Sequence, residues 1–211
     1  MPFERHTVFY DVWDALGIPD DCPICFLHRR HAHKFMDDLL YENVNNPVLR
    51  EHLRESLGFC DEGRALAEEL HDGQGLSILL ASLAHNVALR LRGLKPQLTP
   101  ERPCPLAEST GEAEARYLRV FVRHYGESDV QKRHEAGFGF CLEHLGVCLS
   151  LLEDKDLRSR LCSAEKGKIE HLLAELQHYM DKCCYTNTSP LGGETNAWLR
   201  ALRKFRRSET A

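Results

Sequence analysis

The sequence has no long apolar run. Nothing in its 211 residues approaches the ~18 consecutive apolar positions of a membrane span, so no membrane association is expected. The stretch Met1-Pro2-Phe3-Glu4-Arg5-His6 carries no apolar core of the kind a secretory leader needs, which predicts a cytoplasmic protein. An excess of one charge is also missing. Net charge is −5 with a pI of about 6.2, which argues against a non-specific nucleic-acid binder. One basic cluster, Arg203-Lys204 and Arg206-Arg207 within Arg200 to Arg207, reads as a solvated helix face. The sequence contains no G-x-S-x-G, no phosphate-binding glycine loop and no H-E-x-x-H. No C-x-x-C-H occurs, since Phe26 follows Cys25, so a c-type haem is not supported. No segment alternates apolar and polar residues as a half-buried strand would.

What remains is helical periodicity, cysteine and histidine. Hydrophobic content of 43% and charged content of 28% are ordinary for a globular protein. A reduced compartment keeps thiols free, so nine cysteines and twelve histidines call for an explanation other than a disulfide framework. Metal binding and thiol chemistry are the usual ones.

The cysteines are patterned. Cys22-Pro23-Ile24-Cys25 has an echo in Cys104-Pro105-Leu106-Ala107, and Gly58-Phe59-Cys60 has one in Gly139-Phe140-Cys141. The separations are 38 positions from Cys22 to Cys60 and 37 from Cys104 to Cys141. Two such segments at nearly equal spacing read as an internal duplication. It divides the chain into a first repeat, 1–92, a Pro-rich linker, 93–103, and a second repeat with the C-terminal helices, 104–211, together one compact unit.

Apolar spacing predicts an all-α bundle of roughly eight to ten helices. Val8 to Leu16 forms the first, and Gly17 to Asp21 a turn. Pro23 opens a helix reaching about Glu42, with proline at its first position. Val48 to Leu57 and Arg64 to His71 follow. Leu76 to Leu91 reads as a core helix through Leu76, Leu79, Leu80, Leu83, Val87 and Leu91. In the second copy, Tyr117, Leu118, Phe121 and Val122 mark the first helix, and Leu142 to Leu152 a later one. Ser163 to Cys184 is long and amphipathic, with Ile169, Leu172, Leu173, Leu176 and Met180. Tyr185 to Gly193 is a loop. Glu194 to Phe205 closes the chain with Trp198, Leu199 and Leu202 buried.

Zinc takes four soft or borderline ligands, and residues three apart present two ligands on one turn. Cys22/Cys25 and Cys141/His144 have this spacing and together make a Cys₃His set. Their counterparts are incomplete: Ala107 stands where Cys25 does, and Gly63 where His144 does. If sites form between repeats, Cys22, Cys25, Cys141 and His144 complete one and Cys60 with Cys104 has lost both outer ligands. If sites form within repeats, each keeps three ligands and an open position, the arrangement of catalytic zinc. The joint loss favours the first. Cys60, Cys104, His28 and His31 are lesser metal candidates. His28 and His31 continue the three-residue spacing of Cys22 and Cys25, although a solvated face beside Arg29, Arg30 and Lys34 accounts for them too. Cys148, among Leu145, Leu149 and Leu152, is a core residue. Cys162 has no pattern, and the vicinal Cys183-Cys184 reads as packing. Cys22/Cys25 at a helix N-terminus also resembles a glutaredoxin-like dithiol, but no strand precedes it.

The CPIC helix, Leu39-Leu40-Tyr41-Glu42, Asn45-Asn46-Pro47-Val48 and Gly-Phe-Cys resemble an uncharacterised bacterial family whose members carry CPxC…GFCxxH twice. Leu191-Gly192-Gly193-Glu194 and Asn196 to Leu202 resemble its C-terminal end. The resemblance implies a helical, metal-binding, cytoplasmic protein and brings no established activity. Gly63 and Ala107 depart from the pattern, which points to at most one complete site. The expected function is a zinc protein with a structural, sensing or accessory role, serving a protein partner or small molecule. The alternatives are an enzyme using an open metal site or the Cys22/Cys25 dithiol, and an iron–sulfur cluster on the same ligands.

Overall fold

The computed structural model describes residues 5–93, 96–183 and 189–206. Among them are ten α-helices, one short 3-10 turn and no strand, an all-α fold. The helices are α1 Thr7–Leu16, α2 Pro23–Tyr41, α3 Pro47–Glu55, α4 Asp61–Leu70, α5 Gly73–Arg90, α6 Pro105–His124, α7 Ser128–Ala136, α8 Leu142–Leu151, α9 Lys155–Lys182 and α10 Ala197–Lys204; the 3-10 turn is Gly193–Asn196. Their order has a rhythm. Helices of 19, 9 and 10 residues (α2, α3, α4) are followed, after α5, by helices of 20, 9 and 10 residues (α6, α7, α8).

Several starts are set by side-chain caps. Asn46 accepts from the Val48 and Leu49 N–H groups with Pro47 at the first helical position of α3. Asp72 does the same for Gln74 and Gly75 at α5, and Asp154 for Asp156 and Leu157 at α9. The Asp154 cap explains why α9 begins at Lys155 and not at Ser163.

The chain packs as two compact units, Met1–Leu27 with Ala115–Ala211, and His28–Glu114. These units describe contact; the 93–103 linker describes the duplication read from the sequence. In the first unit, Phe9, Val12, Leu16, Ile24, Leu27, Phe121, Tyr125, Phe140 and Leu161 are buried. Phe140 packs edge-on against Phe121 at 4.7 Å between centroids and stacks on His134 at 5.4 Å. In the second unit, Ala32, Met36, Leu39, Leu40, Leu53, Leu66, Leu79 and Leu106 form the core.

Three expectations are corrected. Leu80 and Leu91 of the α5 region are exposed, as are Trp198 and Leu202 of α10. Periodicity shows which face of a helix is apolar, not whether another element covers it. In α10 the buried residues are Ala197 and Lys204, so the basic cluster is not a uniformly solvated face: Lys204 is enclosed because Glu165 pairs with it inside the protein. Cys184, Arg207 and residues 185–188 of the expected loop lie outside the described residues. No helix of the described residues is long and apolar enough to cross a membrane.

Candidate metal centre

Two helix starts in the first unit carry the cysteines. Cys22 immediately precedes α2, and its carbonyl accepts from the Phe26 N–H at 2.9 Å, the first turn of the helix. Cys141 is the N-cap of α8, and its carbonyl accepts from the Leu145 N–H at 2.9 Å. Cys25 and His144 each stand three residues further on, one turn inside. Each helix therefore offers a cap residue and a first-turn residue on one face, at the end where the helix dipole favours negative charge.

The four side chains converge. One ligand atom from each of Cys22, Cys25, Cys141 and His144 lies within 4.8 Å of the others. Relative exposures are 0%, 4%, 0% and 4% in that order. Cys25 Sγ is 3.7 Å from Cys141 Sγ. His144 Nδ1 lies 3.4 Å from Cys22 Sγ, 3.4 Å from Cys25 Sγ and 3.0 Å from Cys141 Sγ. A tetrahedron with metal–sulfur bonds of about 2.3 Å and a metal–nitrogen bond of about 2.0 Å has edges of about 3.8 Å between sulfurs and about 3.6 Å between sulfur and nitrogen. The cluster already has nearly these edges, so the donor set fits one tetrahedral ion in shape and in chemistry. Among the described residues it is the group of histidines, cysteines and carboxylates able to hold a metal.

The protons are distributed unevenly. Burial, then hydrogen bonds to Cys141 and Cys25, push the Cys22 thiol well up. Cys141 is pulled far down, because the Cys22 and Cys25 thiols and the His144 ring direct hydrogen bonds at it. Three enclosed sulfurs cannot all be ionised without a cation among them. A metal cation held by the four side chains would supply that charge.

Neighbouring groups hold the approach to Cys141. Glu165, 1% exposed, accepts from the Phe140 N–H at 2.9 Å and bonds His134 Nε2 at 2.8 Å through the same oxygen. Its other oxygen meets Lys204 Nζ at 2.5 Å. Lys168 donates to the carbonyls of His134, Glu135 and Gly137. Gly139 takes φ +81°, and a Cβ there would meet Glu165 Oε1 at 2.3 Å. The segment from Gly137 to Cys141 is thus pinned by the buried Glu165 carboxylate and the Lys168 ammonium, and Lys204 Nζ adds a bond to the Phe138 carbonyl at 3.3 Å. Neither of the first two was marked in the sequence, where Glu165 and Lys168 look like any charged residues on an amphipathic helix. A cavity of about 470 Å³ in this unit, lined by Lys168, His171, Glu175 and Arg200 among others, includes none of the four ligands.

The lesser candidates lie in the second unit. His28 bonds Glu114 at 3.1 Å and Glu62 at 3.0 Å. His31 Nε2 is 2.9 Å from Ser109 Oγ. Cys60 is the N-cap of α4, and Cys104 precedes α6 and accepts from the Ala107 N–H at 3.4 Å. Cys148 is fully buried in α8, and burial raises its pKa.

No family model and no solved structure matches the chain. It is 30% identical over 190 residues, 87% of this chain and 93% of the relative, to the uncharacterised 23.9 kDa protein in the xynA 3′ region of Caldicellulosiruptor sp. strain Rt8B.4. The chain belongs to the family of that protein.

Proposed function

We propose that this member of an uncharacterised family is a zinc protein in which a single ion has a structural role. The ion ties the first turn of α2 to the first turn of α8 inside the first unit through Cys22, Cys25, Cys141 and His144. The observation that carries the reading is the closure of the site: four ligand atoms within 4.8 Å of one another, all on buried residues. A catalytic zinc keeps one position for water or substrate. Here protein atoms supply all four corners. An iron–sulfur cluster spreads its protein sulfurs around several irons, whereas these donors make the edges of one tetrahedron. Zn²⁺ rather than a redox metal also suits a Cys₃His set. When bound, it neutralises thiolates that the interior cannot otherwise hold, and its binding energy becomes folding energy. The role that follows is accessory or sensing, with the ion maintaining the fold.

The test is elemental analysis of anaerobically purified protein, wild type beside Cys22→Ser and Cys60→Ser. The expected result is about one zinc per chain, lost in Cys22→Ser and kept in Cys60→Ser. Visible absorption with iron in place of zinc would move the assignment to a cluster. No metal in any of the three proteins would overturn the reading.

A further inference from the structure

Helices α3 and α5 of the second unit pack on one another. Arg50 and Arg54 stand four residues apart, on one face of α3. Ser82, His85, Asn86 and Leu89 stand at i, i+3, i+4 and i+7, on one face of α5. These six side chains line a cavity of about 440 Å³, within the ~300–1,000 Å³ of small-molecule sites. His85 and Leu89 are exposed, so the cavity opens along α5.

Its wall is built from donors. Arg54 Nε and Nη2 donate to Ser82 Oγ at 3.3 Å and 2.9 Å. These bonds tie α3 to α5 and leave the Ser82 hydroxyl proton for another acceptor. Arg90 Nε donates to Asn86 Oδ1 at 2.9 Å, and its Nη2 to the Arg54 carbonyl at 3.4 Å. With Oδ1 engaged, Asn86 has its NH₂ to offer. His85 carries a ring N–H whatever its tautomer. No carboxylate lines the cavity. Glu51 and Glu101 pair with Arg54 and Arg90 from outside it, and both are largely exposed.

Arg50 is the group left over. Its Nε is closed to solvent and has no hydrogen-bond partner among the described residues. A buried cationic donor without an acceptor is costly. Arg54, one turn away on the same face, adds like-charge repulsion. An anion in the cavity removes both costs at once.

We propose that this cavity binds a phosphoryl group, either the dianionic end of a phosphate monoester or inorganic phosphate. A guanidinium fork meets phosphate oxygens two at a time. The donors come from two helices and outnumber what the two oxygens of a planar carboxylate can use. A phosphoryl group offers three oxygens and nearly two negative charges against two guanidiniums. Leu89 gives an organic group an apolar contact beside these donors, so the monoester is the better fit of the two sources. The proposal does not rest on the metal centre, whose four ligands belong to the other unit.

The experiment titrates the full chain with glycerol 3-phosphate, inorganic phosphate and acetate, in chloride buffer at fixed ionic strength. Isothermal calorimetry reads binding, and thermal unfolding is followed in parallel. The expected result is one saturable site per chain that takes the monoester best, inorganic phosphate next and acetate least. Arg50→Met should weaken both phosphates about 10–100-fold, the loss of hydrogen bonds to a charged group. Without ligand it should unfold at the wild-type temperature or higher, because the uncompensated cation is gone. Lys34→Gln, exposed on α2, should bind as wild type does. Equal binding of the two phosphates would fix the free ion as the ligand. No saturable binding of either phosphate would overturn the proposal, as would acetate binding as tightly as they do. Phosphate binding unchanged in Arg50→Met, or weakened equally in Lys34→Gln, would also overturn it. If Arg50→Met does not fold, Arg50→Lys carries the test: it keeps the charge, loses the fork and should bind the monoester more weakly, and unchanged binding there would overturn the proposal.

Discussion

Lys204 Nζ lies 2.5 Å from Glu165 Oε2, and both side chains are almost closed to solvent. Glu165 would be pushed up by burial, but the His134 hydrogen bond and the Lys204 charge hold its carboxyl below the usual range. Lys204→Met removes the cation and leaves a buried carboxylate with His134 and the Phe140 N–H. Breaking a buried pair from one side costs about 3–5 kcal/mol. Urea unfolding should show a loss of that size for Lys204→Met, and the double variant Lys204→Met/Glu165→Gln should regain part of it. Equal losses in the single and double variants would mean that packing of the lysine stem, not the charge, is what matters.

Gly139 links this pair to the metal centre. Its φ of +81° disfavours any Cβ, and the Cβ would press on Glu165 Oε1 at 2.3 Å and Lys168 Cδ at 2.8 Å. Gly139→Ala should cost about 2 kcal/mol from strain and displacement. It should also weaken zinc binding about 10-fold or more, because Cys141 is two residues away and groups behind ligands set affinity. Gly146, inside α8 with open space around its Cβ, is the control: Gly146→Ala should be neutral or stabilising by about 0.5–1 kcal/mol. Competition with a chromophoric chelator reads the first effect, and thermal unfolding reads both. Unchanged zinc affinity in Gly139→Ala would detach the loop from the site.

The contrast between Cys22 and Glu165 shows what a sequence can reveal here. Ligand spacing is local: a helix turn places residues three apart together, so Cys22/Cys25 and Cys141/His144 stand out as pairs. Which pair meets which is a tertiary matter, and spacing alone left two arrangements open. Glu165 and Lys204 were invisible for the opposite reason. A charged residue on an amphipathic helix is ordinarily solvated, and only packing shows that these two enclose each other. The exposed Leu80, Trp198 and Leu202 make the same point for apolar residues. All-α architecture was legible because periodicity survives without knowledge of partners.

Gly63 and Ala107 allow a reconstruction. If the chain arose by duplication, Gly63→His with Ala107→Cys restores the missing ligand types beside Cys60 and Cys104. The Phe59 side chain and Leu106 Cδ2 crowd the Gly63 Cβ position at 3.3–3.4 Å, so a histidine cannot enter without moving them. The expected result is a double variant that still binds about one zinc per chain and is destabilised by about 1–3 kcal/mol through overpacking. Elemental analysis with thermal unfolding checks both. Two zinc ions per chain with stability retained would show that the second unit keeps a usable cavity and that loss of ligands alone closed the site.

His28 offers a pH-dependent test in the second unit. Its Nδ1 is 3.1 Å from Glu114 Oε2 and its Nε2 is 3.0 Å from Glu62 Oε1. The hydrogen bond to Glu114, then that to Glu62, raises its pKa to about 9 despite partial burial. An unfolded histidine titrates near ~6.5. A base raised on folding therefore contributes its full stabilisation below about pH 6.5 and loses it as pH climbs through about 9. The full shift corresponds to about 3 kcal/mol, which solvent around the partly exposed Glu62 reduces to about 1–2 kcal/mol. The wild type should exceed His28→Gln by that amount in urea unfolding at pH 6, and the gap should close by about pH 10. Thiols titrating in the same range are common to both proteins and cancel in the difference. A gap that stays constant from pH 6 to pH 10 would assign the stabilisation to packing or neutral hydrogen bonds rather than to an imidazolium held between two carboxylates.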